Sequence, residues 1–262
     1  MNNFKINGLS VNDYGGSGKP LVFVHAFPLT SEMWKPQADF FKDKFRVITY
    51  DVRGLGKSLQ TDNQFTMESY VNDFFTVLDS LKLEKVNACG LSMGGYIILR
   101  ALTRNPGRFL SVVPADTRAE RDDDNGIISR SNTISDIKSG KRKEFETGFL
   151  QKLINSKSYD TPEIKDFLSN IISGNTDDGI CGAMLALATR TTTLDNLKDI
   201  NVPALVIIGE DDLLTPRNFA EAMNKSLKNS SLEVIPGAGH LSNIENPGYF
   251  NNIVMKFLEG LE

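Results

Sequence analysis

Gly90-Leu91-Ser92-Met93-Gly94 sets a hydroxyl between two glycines, the G-x-S-x-G spacing that presents a serine for nucleophilic attack when a strand precedes it and a helix follows. Val86 to Leu91 reads as an apolar strand, and Met93 to Thr103 as an apolar helix ended by Asn105-Pro106-Gly107, so Ser92 falls on the bend between them. A bend that tight strains the serine backbone, and a side chain at Gly90 or Gly94 would collide with the neighbouring strand or helix. A serine hydroxyl is a weak nucleophile at neutral pH and needs a base within hydrogen-bond reach, usually histidine. The chain has two histidines. His25 ends an early strand, whereas His240 closes the glycine-rich loop Pro236-Gly237-Ala238-Gly239-His240 after the last strand, and is the better base. A carboxylate must hold that base in one tautomer and stabilise the imidazolium it becomes. Glu210, Asp211 and Asp212 follow one strand directly and Asp116 follows the strand before it; position alone leaves all four open.

Other chemistries find no support in the spacing. Gly54-Leu55-Gly56-Lys57-Ser58 would need a glycine at position 51 to make a phosphate loop, and Asp51 stands there. Leu59 breaks a G-x-G-x-x-G beginning at Gly54. No His/Cys cluster has metal-ligand spacing, so no metal is expected. Cys89 and Cys181 cannot form a disulfide framework and read as buried free thiols of a reducing compartment. With 29 Lys and Arg against 33 Asp and Glu, the net charge of -4 offers no basic surface for nucleic acid or anionic membrane. The runs 120–124 and 141–144 are of mixed sign and read as solvated surface. The first eight residues lack a basic stretch followed by an apolar one, and no apolar run approaches a membrane span; a cytoplasmic location is expected.

These groups must be carried by something. Short β-branched runs alternate with helical stretches, the pattern of parallel strands joined by crossover helices, so the fold class is α/β. Phe4–Ile6 and Leu9–Tyr14 predict a hairpin turning at Asn7-Gly8. Leu21–His25 and Phe45–Tyr50 are apolar at nearly every position, as strands covered on both faces should be. Between them Ser31 can cap a helix with Trp34 and Phe40/Phe41 on about one face. Met67, Tyr70, Val71, Phe74, Phe75, Leu78 and Leu81 follow helical spacing, and Phe109–Val113 reads as a further strand. Between about Thr117 and Asp199 the rhythm stops, and that stretch is helix-patterned and polar. The sheet resumes with Ala204–Ile208, a helix through Phe219 to Leu227, Leu232–Ile235 and a closing helix ending near Leu258. Residues 1–116 and 200–262 are thus expected to form the core and 117–199 a helical cap.

The order Ser92, Asp, His240, taken with His25-Ala26-Phe27-Pro28, Asp51-Val52-Arg53-Gly54-Leu55-Gly56-Lys57-Ser58 and Gly209-Glu210-Asp211-Asp212, resembles the α/β-hydrolase superfamily, in its cap-bearing esterase, lactonase and cofactor-free haloperoxidase type. The resemblance runs over nearly the whole chain. It implies a mostly parallel sheet flanked by helices, with Ser92, Asp212 and His240 as catalytic triad and Asp116 or Asp211 as the other acids considered. It further implies an oxyanion hole from the main-chain N–H groups of Phe27 and Met93, and a structural role for His25. Trp34, Leu213, Leu241, Phe149 and Met184 are candidates for the substrate pocket or for core packing. The expected reaction is acyl transfer from a small-molecule ester or lactone to water without a cofactor, a 3-oxoadipate enol-lactonase and a generic carboxylesterase being equally expected. A perhydrolase or haloperoxidase and a carbon–carbon bond hydrolase use the same triad, and a ligand receptor or scaffold is the alternative without turnover. Oligomeric state is left open.

Overall fold

The computed structural model describes residues 1–59 and 64–261. Its eight strands form one sheet: β1 (Asn2–Ile6), β2 (Leu9–Asp13), β3 (Pro20–Val24), β4 (Arg46–Tyr50), β5 (Val86–Leu91), β6 (Phe109–Ala115), β7 (Ala204–Gly209) and β8 (Ser230–Ile235), in the spatial order β1-β2-β4-β3-β5-β6-β7-β8. β1 and β2 pair antiparallel, as do β2 and β4, and the remaining neighbours are parallel. Asn7 and Gly8 both take positive φ, 48° and 83°, which twists the first hairpin the way its strands twist.

Between strands run α1 (Lys35–Phe41), α2 (Met67–Ser80) and α3 (Met93–Arg104). Residues 117–199 then hold α4 (Asp124–Lys138), α5 (Arg142–Leu153), α6 (Ser156–Tyr159), α7 (Pro162–Ser173), α8 (Asp177–Ala188) and α9 (Leu194–Leu197), with no strand among them. α10 (Arg217–Ser226), α11 (Ser242–Glu245) and α12 (Pro247–Glu259) complete the chain. Alternation along the strands divides the core in two. Val22, Val24, Ile48 and Ala88 face α2, α3 and α10, burying Tyr70, Phe74, Ile97 and Met223. Leu21, Phe23, Val47 and Cys89 face α1 and α12, burying Phe41, Phe250 and Val254.

Four expectations need correction. Thr30, not Ser31, caps the short 3-10 turn before α1: Thr30 Oγ1 accepts from Glu32 N (3.3 Å), while Ser31 Oγ lies inside the turn and accepts from Asn12 Nδ2 (3.2 Å). Phe40 turns outward, and only Phe41 joins the core. Trp34 does not line a pocket: it is fully buried, its ring 4.7 Å from Phe23 and 6.1 Å from Phe250, so burial of a large aromatic surface decides its place. Asp122, read as solvated surface, is 2% exposed and sits among the guanidinium groups of Arg118, Arg130 and Arg190. Burial alone would raise its pKa, but hydrogen bonds from Arg190 and Arg130 outweigh that and hold the carboxylate well below its usual range.

Candidate active site

Ser92 stands between β5 and α3 with φ 54° and ψ -112°, a left-handed backbone in a non-glycine residue, as a sharp strand-to-helix bend demands. The bend is held by hydrogen bonds. Ser92 N donates to Ala115 O (3.0 Å), at the end of a β6 two residues longer than the apolar run suggested, and Thr117 Oγ1 donates to Ser92 O (2.8 Å). Close approach explains the flanking glycines. A Cβ on Gly90 would lie 2.3 Å from Gly94 O, and one on Gly94 would lie 2.0 Å from Val24 O.

Ser92, Asp212 and His240 meet at the carboxyl ends of the strands. His240 Nε2 is 2.8 Å from Ser92 Oγ, and Nδ1 is 2.8 Å from Asp212 Oδ2. A carboxylate only accepts, so Nδ1 carries the proton and Nε2 is free to accept one from the serine. Asp212 is fixed by its own turn: Leu214 N (2.8 Å) and Thr215 N (3.0 Å) donate to Oδ1, and Thr215 Oγ1 donates to Oδ2 (2.6 Å). Burial raises the Asp212 pKa, yet the His240 charge, its hydrogen bond and the Thr215 donors lower it further, so the net shift is downward. Burial lowers the His240 pKa, but the charge and hydrogen bond of Asp212, with Asp116 and Glu245 beyond, bring the net shift upward. Thr215 carries no motif and escapes a reading by sequence; it is seen only once the turn closes.

The other acids are placed elsewhere. Asp116 accepts from Gly209 N (2.7 Å), Ser242 N (3.2 Å) and Ser242 Oγ (2.5 Å), and so braces the loops on which Asp212 and His240 ride without meeting the imidazole. Burial and the Asp212 charge push its carboxyl up to about 8. Asp211 Oδ2 accepts from Asn155 Nδ2 at 3.4 Å. His25 is locked away from the chemistry. Its Nδ1–H donates to Ala26 O (2.9 Å) and its Nε2 accepts from Val52 N (2.8 Å), a neutral ring with both nitrogens engaged, and burial lowers its pKa.

Among the described residues, neither the Phe27 nor the Met93 main-chain N–H donates to a protein acceptor. The Phe27 ring lies 5.5 Å from Phe149 and 6.3 Å from Phe145, so α5 packs directly on that loop. Phe149, Met184, Arg130, Phe145 and Leu214 line a cavity of about 470 Å³. A second cavity of about 720 Å³ is lined by Asp212, Leu213, Gly239, Asn155 and Tyr159, with Leu213 84% exposed at its rim. Leu241 is fully buried on the α1/α12 side of the sheet and lines neither, because its loop turns the side chain into the core.

Comparison with known proteins extends this geometry. The chain is 30% identical over 260 residues to 3-oxoadipate enol-lactonase 1 of Acinetobacter baylyi, covering 97% of this chain and 94% of that one. It is 28% identical over 264 residues to a non-heme haloperoxidase of Rhodococcus erythropolis, covering 93% of each. A thermophilic esterase from Thermogutta terrifontis, solved with malate bound, superposes with a TM-score of 0.94 at 29% identity, over 100% of this chain and 99% of that one. No helix among the described residues is long and apolar enough to cross a membrane. The family described as alpha/beta hydrolase fold matches residues 19–247, and with the sheet order and the strand-to-helix bend at Ser92 this chain belongs to it.

Proposed function

We propose that the chain is a serine hydrolase that cleaves a small carboxylic ester or lactone through an acyl-enzyme. The unbroken hydrogen-bond path from Ser92 through His240 to Asp212, 2.8 Å at each step, carries the reading. Ser92 Oγ attacks the carbonyl carbon while His240 Nε2 takes its proton, and Asp212 stabilises the imidazolium. The free N–H groups of Phe27 and Met93 receive the developing oxyanion, each lowering the barrier by about 3–4 kcal/mol. His240 then gives its proton to the leaving alkoxide oxygen. Water, deprotonated by the same imidazole, attacks the acyl carbonyl and frees Ser92. The 117–199 segment serves as the cap: its Phe145 and Phe149 wall the cavity beside the Phe27 loop.

The esterase neighbour and the enol-lactonase relative support an ester or lactone substrate. Ser92→Ala should lower ester turnover by roughly 10⁶ if the three residues act as a unit; hydrolysis by the purified variant at the wild-type rate overturns the assignment. The haloperoxidase relative favours a second reading, in which hydrogen peroxide replaces water in the deacylation step and yields a peracid. Peracid formed from acetate and peroxide, and lost in Ser92→Ala, supports it. Binding of esters without any turnover would instead make the chain a receptor.

A further inference from the structure

We infer that Glu245 is a positioning residue for the proposed base: its carboxylate fixes the loop that carries His240 and ties that loop to the helical segment 117–199. The inference rests on the reading of Ser92, His240 and Asp212 given above. Glu245 Oε1 accepts the main-chain N–H groups on either side of His240, from Gly239 (2.8 Å) and from Leu241 (3.3 Å). Oε2 accepts the main-chain N–H of Asn155 (2.9 Å), which lies 90 residues away in sequence between α5 and α6. Asn155 completes the seam: Nδ2 donates to Gly237 O (2.8 Å), and Oδ1 accepts from Ser158 N (2.9 Å) to cap α6. The approach is so close that a Cβ on Gly239 would lie 2.8 Å from Asn155 N and 3.0 Å from Glu245 Oε1, which accounts for glycine at 239.

A carboxylate suits this place because it accepts at both ends and has nothing to donate. Glutamine has the same shape, but either orientation of its amide sets an NH₂ against a main-chain N–H. Burial pushes the Glu245 carboxyl up, and the donors from Asn155, Ser158, Leu241 and Gly239 pull against it. Toward His240 the facing groups are Asp212 from the β7 turn, Asp116 from the end of β6 and Glu245 from α11, all negative when ionised, with the neutral hydroxyls of Ser92 and Thr215. The Glu245 charge therefore favours the protonated ring as well as the loop's geometry.

The test measures kcat, KM and the pH dependence of kcat/KM for p-nitrophenyl acetate with wild type, Glu245→Gln, Glu245→Asp and Ser92→Ala, with thermal unfolding of each variant. Because a small misplacement of a catalytic group costs up to about 10²-fold, Glu245→Gln should lower kcat by roughly 10- to 100-fold with KM within about twofold. It should also shift the acid limb of kcat/KM to lower pH, which a merely structural contact would not do. Glu245→Asp keeps the charge but is one methylene short, so kcat should fall with the acid limb unmoved. Wild-type kcat and an unmoved limb in folded Glu245→Gln overturn the inference while leaving the Ser92 reading intact. If the glutamine variant does not fold, Glu245→Asp decides, and wild-type kcat there overturns the inference. Wild-type turnover by Ser92→Ala would overturn the reading of the site itself, and this inference with it.

Discussion

One imidazole lies near two buried aspartates whose surroundings shift their pKa values in opposite directions. Asp212 faces the imidazole N–H and the Thr215 donors, and its pKa shift is downward. Asp116 has main-chain and serine donors but no ring, and burial with the Asp212 charge pushes its carboxyl up to about 8. The two substitutions should therefore separate. Asp212→Asn leaves the base in the wrong tautomer and should lower kcat/KM by about 10⁴. Asp116→Asn leaves the ring's partner in place but sets an NH₂ against the Gly209 or Ser242 main-chain N–H, so it loosens the loops rather than the tautomer, and its loss should be roughly 10- to 100-fold. Equal losses in parallel kinetics would contradict the assignment of roles. In the proposed mechanism His240 also dictates pH dependence. kcat/KM should be low while His240 is protonated and climb as it deprotonates, with a midpoint above the ordinary histidine value of about 6.5, because the net shift is upward. A flat profile across that range would contradict His240 as base.

At the scale of elements, the helical segment is braced where it leaves and rejoins the sheet. Asp122, on the way into α4, accepts from Arg190 Nη2 (2.8 Å) on the way out of α8 and from Arg130 Nε (2.5 Å) on α4. Thr193 N donates to Ala119 O (2.8 Å) beside it, and the Arg190 guanidinium lies 4.2 Å from the Tyr96 ring on α3. Removing the one carboxylate leaves three guanidinium groups crowded together in a mostly dry place. Asp122→Ala should cost about 3–5 kcal/mol and lower the midpoint of thermal unfolding on the order of 10 °C; an unchanged melting curve would refute the brace. Nothing in the run Glu120-Arg121-Asp122-Asp123-Asp124 distinguishes Asp122 from its neighbours. Arg118 and Arg130 are near it in sequence, but Arg190 comes 68 residues later, and only the packing of α4 against α8 brings it there.

For the whole molecule, the site is a meeting of distant segments: the β5–α3 bend, the turn after β7 and the loop after β8, with α5 packed on the Phe27 loop. We propose that selectivity belongs to that last contact. Phe149→Ala opens the wall of the 470 Å³ cavity, and should raise kcat/KM for a hexanoyl ester relative to an acetyl ester by about tenfold; an unchanged ratio would remove Phe149 from the substrate wall. The parallel sheet was legible because strands covered on both faces need unbroken apolar runs, and β5 begins and ends where its run does. The nucleophile bend was legible because its glycines are required by local crowding, whatever the rest of the chain does. Trp34, Leu241 and Asp122 were not, since an aromatic, a leucine or an aspartate has the same local propensity whether it faces a cavity, a core or three arginines. The sequence by itself determined the order of strands and helices, the bend at Ser92 and the order in which serine, carboxylate and histidine arrive. Tertiary structure alone decided which carboxylate meets the imidazole, which one braces the loops beside it and which one holds the histidine loop, because burial and partner geometry, on which those differences depend, exist only after distant segments pack.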